Sequence, residues 1–205
     1  MKIGLIPAAG LAQRLGIDTP KELLHYQGQA IIDYSIDLLV AAEVDLIVIV
    51  IRQGKEAIQH HVQAKYKSFP FEFVYQTGEI GRLIDAIKAS YSTIKDHEVC
   101  FCMADTHISP NPFQNSLRKE LTLFCFRAPE DEWKHFGVVD LTARQIVDKP
   151  TVYISDVCWG ALAWGPSFTE RIMQQDDLTA VMNQSDWDYH LCIDHYTDIG
   201  LGPHA

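Results

Sequence analysis

The chain has 205 residues, 47% of them apolar and 21% charged, and its 27 acidic side chains against 17 lysines and arginines give a net charge of −10. This is the balance of a soluble folded protein about one domain long, and so acidic a surface excludes broad contact with a nucleic-acid backbone. The longest apolar run, Leu46 to Ile51, is far below the roughly 20 residues of a membrane span, and the stretch before Pro7 is too short for the core of a signal peptide.

The first half alternates strand-like and helix-like segments. Lys2–Ile6 is an apolar run stopped by Pro7 and reads as a buried strand. Ala30–Ala42 carries Ile31, Tyr34, Ser35, Leu38 and Ala42 at helical spacing. Asp45–Ile51 is unbroken and rich in Val and Ile, the pattern of a parallel strand covered on both faces. Lys55–Tyr66 reads as a polar surface helix, with His60 and His61 solvated on it. Phe71–Tyr75 reads as a short strand and Arg82–Ile94 as a helix. Glu98–Met103 reads as a strand leading into Ala104-Asp105. This order predicts an open, mainly parallel sheet with helices on both faces. In the second half, Glu120–Phe126, Phe136–Leu141, Gln145–Val147 and Cys158–Trp164 read as strands that extend the sheet, partly antiparallel. Gly165-Pro166-Ser167 then opens a helix. The five cysteines are scattered without a Cys-x-x-Cys pair, which predicts reduced, packed thiols, no structural zinc and a cytoplasmic location.

In open α/β sheets ligands bind beyond the carboxyl ends of the strands. The first such loop, Pro7-Ala8-Ala9-Gly10-Leu11-Ala12-Gln13-Arg14-Leu15-Gly16, is built of small residues and is followed by Pro20-Lys21. Small residues let backbone approach phosphate closely, and Arg14 and Lys21 add positive charge. A Walker-type loop would end in Gly-Lys-Ser/Thr, but Gly16-Ile17-Asp18 stands there. A dinucleotide fingerprint would need a third glycine and an acidic residue closing the second strand, where Ile51-Arg52 stands instead.

Ala8-Ala9-Gly10 with Arg14-Leu15, then Pro20-Lys21-Glu22-Leu23-Leu24, Gly28 and Tyr34, resembles the sugar-phosphate nucleotidylyltransferase family. Further segments continue the likeness in the family's order. They are Gln76 with Gly81 and Ala86-Ile87, Asp105 after a strand, Phe136-Gly137-Val138-Val139, Val147-Asp148-Lys149-Pro150, Trp159-Gly160, and Asp198-Ile199-Gly200. Ala12 stands where the family has a second glycine, Ala104 where a glycine usually precedes the aspartate, and the spacer Gly16–Thr19 is short.

The resemblance implies a Rossmann-like three-layer α/β/α architecture with a mixed, mainly parallel central sheet, a GT-A-like nucleotidyltransferase fold. It implies one domain over residues 1–205, about 1–110 holding the nucleotide and about 111–205 the acceptor. Ala8, Ala9, Gly10, Gln76 and Gly81 would bind the nucleoside triphosphate, with Arg14 and Lys21 on its phosphates as the catalytic cations. Asp105 and Asp198 would hold Mg²⁺, an ion that takes one or two carboxylates and fills its shell with phosphates and water. Gly137, Asp148, Lys149 and Gly160 would line the acceptor side, where Trp159 or Trp164 either stacks on a sugar or belongs to the core. The implied reaction joins an NTP to a sugar 1-phosphate with release of pyrophosphate, without nucleic acid or membrane. Two alternatives stay open: a non-sugar phosphate or phosphonate acceptor such as phosphocholine, and a catalytically silent nucleotide-binding regulator. The family's further helices are not seen after Asp198, which leaves room for a homodimer. Asp186-Trp187-Asp188 has the Asp-x-Asp pattern of metal-dependent glycosyltransferases but does not close a central strand.

Overall fold

The computed structural model of the chain describes residues 1–10, 19–78, 81–114, 117 and 119–199. In chain order the first half contains β1 (Lys2–Pro7), the ribbon β2 (His25–Tyr26) and β3 (Gln29–Ala30), α1 (Ile31–Ala41), β4 (Leu46–Ile51), α2 (Glu56–Lys65), β5 (Phe71–Tyr75), α3 (Leu83–Ala89), α4 (Tyr91–Ile94), β6 (Glu98–Cys102) and β7 (Thr106–Ser109). The second half contains β8 (Leu121–Arg127), β9 (Gly137–Asp140), β10 (Gln145–Asp148), β11 (Val157–Trp164), α5 (Pro166–Met173), α6 (Leu178–Gln184), β12 (Trp187–Leu191) and β13 (His195–Asp198). The helix expected over Arg82–Ile94 is two pieces. Ser90 is fully buried between them and donates its hydroxyl to the Ile87 carbonyl at 2.8 Å, a local bond that competes with helix continuation.

The main sheet has the order β10-β9-β11-β6-β1-β4-β5, with β8 pairing β11 and β12 pairing β8. β6, β1, β4 and β5 run parallel. β11 joins β6 antiparallel, pairing Ala161 with Cys102 and Trp164 with Val99, and so carries the second half onto the same sheet. The result is the expected three-layer architecture.

Alternation along each central strand supplies both faces. Ile47, Ile49 and Ile51 pack with Ile32, Ile36 and Leu39 of α1 and Ile58 and Val62 of α2. Val48 and Val50 pack on the other side with Ile84 and Ile87 of α3, Phe168 of α5 and Met182 of α6. That is why β4 reads as continuous aliphatics: it has no solvent face to show as a polar alternation. Each such side chain contributes about 1.5–3 kcal/mol of burial. Gly4 in β1 lets α1 close in, since a Cβ there would stand 2.8 Å from Leu39 Cδ1.

The four cysteines of the strands are buried and all five are free. Trp164 is core, fully buried with its indole N–H donating to Thr169 Oγ1 at 2.9 Å. Asp186-Trp187-Asp188 enters the edge strand β12, where Lys119 binds Asp186 at 2.9 Å and Trp187 is buried. His61 is not simply solvated. Its Nε2 stands 2.9 Å from Asp33, a buried carboxylate in the first turn of α1 that also accepts from Lys65 and Tyr66 and so ties α2 to α1. Among the described residues no helix is long and apolar enough to cross a membrane.

Candidate active site

The carboxyl ends of β1, β4, β5 and β6 meet at one end of the sheet. Pro7 ends β1, and Ala8 and Ala9 continue from it almost fully buried. The Ala8 amide donates to the Val50 carbonyl at 2.7 Å. Two cations hold the carbonyls of this segment. Lys55 Nζ donates to Ala8 O at 2.8 Å, and Arg52 Nε donates to Ala9 O at 2.5 Å. Lys55 also meets Glu22 at 2.7 Å, and both side chains are buried. Burial lowers the Lys55 ammonium below its ordinary range, Glu22 works against that, and the neighbouring Lys21 and Arg52 lower it further. The small-residue loop is thus anchored to β4 and to the turn of Lys21–Leu23, the segment next to β2. Arg14, with the rest of residues 11–18, lies outside the described residues.

Lys21 Nζ stands 2.5 Å from Asp105 Oδ2, with Asp105 three residues beyond β6. Burial pulls the Lys21 ammonium down, but Asp105 by charge and hydrogen bond, with Glu22 and Asp198 behind it, holds it above the ordinary lysine range. Asp198 arrives from the far end of the chain. β13 pairs antiparallel with β7 so that Asp198 lies opposite Thr106, and the Ile199 amide donates to the Asp105 carbonyl at 2.9 Å. The two carboxylates expected to hold a metal are therefore brought to one place, with a lysine ammonium against one of them. Two hard oxygen donors brought together suit a divalent ion of the Mg²⁺ type. No set of three or more His, Cys, Asp or Glu placed to hold a metal occurs among the described residues.

Alternation along β13 puts Tyr196 on the same face as Asp198. The Tyr196 ring stacks on Phe126 with centroids 3.9 Å apart and meets Phe136 edge-on at 5.6 Å. Burial first, then the charges of Asp198 and Asp105, raises its hydroxyl well above the ordinary tyrosine range. Gly160 lies under this ring, and a Cβ there would stand 2.7 Å from Tyr196 Cδ2 and Cε2. The register of β11 on β8 shifts at this glycine, between Trp159 and Ala161. The Trp159 indole fills the space beside Gly137, where a Cβ would stand 2.0 Å from Nε1.

The β9–β10 hairpin sets Gly137 opposite Asp148, and the Lys149 amide donates to the Phe136 carbonyl at 3.0 Å. Lys149 has φ +45°, a left-handed backbone that a side chain other than glycine rarely adopts. Its ammonium and the Asp148 carboxylate are exposed. Gly137, Asp148 and Lys149 form one group and Lys21, Asp105 and Asp198 another. Gln76 follows β5, buried at 6% exposure, and Gly81 is exposed just before α3. Sequence reasoning missed Arg52 and Lys55. The signal was available, because a cation closing the second parallel strand sits at the same sheet end as the loop after the first.

Residues 4–161 match the model of the MobA-like NTP transferase domain. The chain belongs to this family. A protein of Methanocaldococcus jannaschii, provisionally named a UTP–glucose-1-phosphate uridylyltransferase, is 26% identical over 210 residues, covering 83% of this chain and 74% of that protein. An N-acetylmuramate α-1-phosphate uridylyltransferase of Caulobacter vibrioides is 37% identical over 67 residues, 31% of this chain and 28% of that protein. Among solved structures, a glucose-1-phosphate thymidylyltransferase of Bacillus anthracis, also provisionally named, superposes with a TM-score of 0.85 at 16% identity, covering 98% of this chain and 90% of that one. The UDP-glucose pyrophosphorylase of Acinetobacter baumannii gives 0.81 at 16% identity, covering 98% and 89%. At such identities these structures establish the fold of this NTP transferase domain.

Proposed function

We propose that this NTP transferase joins a nucleoside triphosphate to a sugar 1-phosphate, giving a nucleotide sugar and pyrophosphate, with the whole chain acting as one transferase domain. The convergence of Lys21, Asp105 and Asp198 beside the Ala8-Ala9-Gly10 loop carries the reading. An oxygen of the acceptor phosphate attacks the α-phosphorus, the bond from that phosphorus to the bridging oxygen breaks, and pyrophosphate leaves with the electron pair. The acceptor brings its own anionic nucleophile, so no side chain need remove a proton. Ala8, Ala9 and Gly10 allow the close approach of the triphosphate. Lys21, and Arg14 from the residues beyond Gly10, face its phosphates and take up the charge that grows on the leaving group. Gln76 and Gly81 meet the nucleoside. Lys149 holds the acceptor phosphate and Asp148 meets its sugar, while the buried Gly137 and Gly160 act behind them by seating Trp159 and Tyr196. Asp105 and Asp198 would hold Mg²⁺, which when bound screens the negative charge that the two substrates bring together.

The test is pyrophosphate release with Mg²⁺ across the common NTPs, each against pooled sugar 1-phosphates and against pooled alkyl phosphates and phosphonates. UTP heads the panel, because both sequence relatives carry uridylyltransferase names. Release that needs one NTP and the sugar pool, and that Asp105→Ala abolishes, is the expected result. Full turnover by Asp105→Ala would remove the reading.

One observation favours a second acceptor class. A cavity of about 480 Å³ is lined by Trp133, Tyr153, Glu130, Asp131 and Asp156, with the two aromatic rings 5.5 Å apart at 77°. Aromatic faces with carboxylates around them suit an alkylammonium group. A signal from the alkyl phosphate pool, led by phosphocholine, would select this acceptor instead.

A further inference from the structure

Two buried donors at the sheet end, Arg52 Nη2 and Gln76 Nε2, lack a hydrogen-bond partner among the described residues, as does the acceptor Glu22 Oε2. The two donors are neighbours by construction. Ile51 pairs with Tyr75 in the parallel β4–β5 register, and the Gln76 amide extends that ladder to the Ile51 carbonyl at 2.8 Å. The next residue of each strand, Arg52 and Gln76, therefore leaves the sheet side by side on one face, since parallel neighbours in register share a face. That face carries Val48, Val50 and the α3 residues Ile84 and Ile87. Arg52 spends Nε on the Ala9 carbonyl, which fixes the guanidinium next to the loop and leaves its second arm unused.

Buried donors are normally matched, and unmatched donors on two residues in register call for a ligand edge that offers two acceptors. Position says which part of a nucleotide that is. Asp105 and Lys21 stand at the β6 end, and β1 and β4 intervene before β5. At one strand spacing each, Gln76 lies roughly 14 Å across the sheet from the β6 end. A triphosphate at Lys21 therefore puts the nucleobase, and not a phosphate, over the far strands.

Resting on the nucleotidyl-transfer reading, we infer that Arg52 is a base-reading residue that acts with Gln76 to select a pyrimidine nucleoside triphosphate. Uracil and thymine present two carbonyl oxygens flanking an N–H. The Gln76 amide takes the N–H through its oxygen and gives its own N–H to one carbonyl, and Arg52 Nη2 gives to the other. Cytosine also presents two acceptors, its carbonyl oxygen and ring nitrogen. The pairing edges of adenine and guanine present one acceptor each and leave one buried donor unmatched. Arg52 thus has two duties on two atoms: Nε holds the loop and Nη2 reads the base.

The experiment separates those duties. Binding of UTP, dTTP, CTP, ATP, GTP and the base-free probe tripolyphosphate is measured calorimetrically with Mg²⁺, for the wild type, Arg52→Met and Arg52→Lys. Arg52→Lys keeps a donor for the Ala9 carbonyl and loses the second arm, and circular dichroism confirms that each variant is folded. The expected wild-type result is pyrimidine binding at least about tenfold tighter than purine, the worth of one charge-assisted hydrogen bond. In Arg52→Lys that preference collapses while tripolyphosphate binding stays within about twofold of the wild type, whereas Arg52→Met, which also releases the Ala9 carbonyl, loses the preference and weakens tripolyphosphate with it. Equal weakening of tripolyphosphate and pyrimidine nucleotides in Arg52→Lys, or a wild type that prefers purines, overturns the inference and leaves the transfer reading standing. Failure of the wild type to bind any NTP or tripolyphosphate overturns both.

Discussion

Lys21 and Asp105 are joined at 2.5 Å, and the proposed reaction asks each to serve elsewhere, the carboxylate on a metal and the ammonium on phosphate. On that reading metal and lysine compete for Asp105. Removing the ammonium should free the carboxylate, so Lys21→Met is expected to bind Mn²⁺ about tenfold more tightly, the worth of one charge-assisted hydrogen bond. Turnover should fall by about a hundredfold or more, because a cation facing the reacting phosphates is lost. An electron paramagnetic resonance titration with Mn²⁺, beside a pyrophosphate assay, checks both. Weaker Mn²⁺ binding would show that Lys21 supports the metal site and does not oppose it.

Gly160 and Tyr196 couple packing to the second carboxylate. Gly160→Ala drives a methyl into the ring at 2.7 Å, and Asp198 is two residues along the same strand face. Overpacking of this kind costs about 1–3 kcal/mol, which for a chain of this size is a melting shift of roughly 2–12 °C. Divalent-ion affinity should fall together with the melting temperature. Gly10→Ala, where no atom of the described residues beyond its chain neighbours lies within 4 Å of the added carbon, is expected to leave the melting temperature almost unchanged. Differential scanning calorimetry of the two variants makes the comparison.

Glu22 and Lys55 form the buried pair beneath the loop. Breaking one side of a buried pair typically costs about 3–5 kcal/mol, so Glu22→Ala, which leaves Lys55 unbalanced, and Lys55→Met, which leaves the more deeply buried Glu22 unbalanced, should both lower the urea midpoint markedly. Lys55→Met removes the tether to Ala8 as well. It is therefore expected to be at least as damaging and to weaken every nucleotide alike, since the Ala8 carbonyl is released whatever the base. Base-selective loss in Lys55→Met would contradict this assignment.

The strand thiols make the fold sensitive to alkali. Burial pushes Cys100, Cys102 and Cys158 up to about 12 from an ordinary value of 9.0. The folded state then holds these protons while the unfolded chain gives them up, so the stabilisation is complete below pH 9 and is lost as pH rises toward 12. Urea midpoints should fall steadily between pH 9 and pH 11. Replacing Cys102 with Ala should flatten that slope, at the cost of a smaller core side chain. At pH 8 iodoacetamide should label the strand cysteines of the native protein far more slowly than those of the urea-unfolded chain.

The parallel strands were legible because each carries aliphatics on both faces, and β5 was bounded to the residue. Asp105 was legible as a carboxylate just past a strand. The edge elements were hidden. β12 and β13 alternate Trp, Asp, Tyr and His with few aliphatics, and their pairing with β8 and β7 joins segments about 65 to 90 residues apart, which no local pattern reports. The resemblance alone pointed to Asp198, and the β7–β13 ribbon places it. Arg52 and Lys55 hold backbone carbonyls some 45 residues away, so only their place just past β4, and no spacing to the loop, marks them in the sequence.

The pairing of the cleft's lysines with carboxylates bears on how a substrate arrives. Lys21 is balanced by Asp105 and Lys55 by Glu22, within a chain of net charge −10. The protein by itself therefore offers a free polyanion little long-range attraction and, at a distance, net repulsion. A nucleotide that has already taken up its divalent ion carries less negative charge and approaches more readily. Association should consequently quicken with added salt, the reverse of an enzyme that draws its nucleotide in with a positive field.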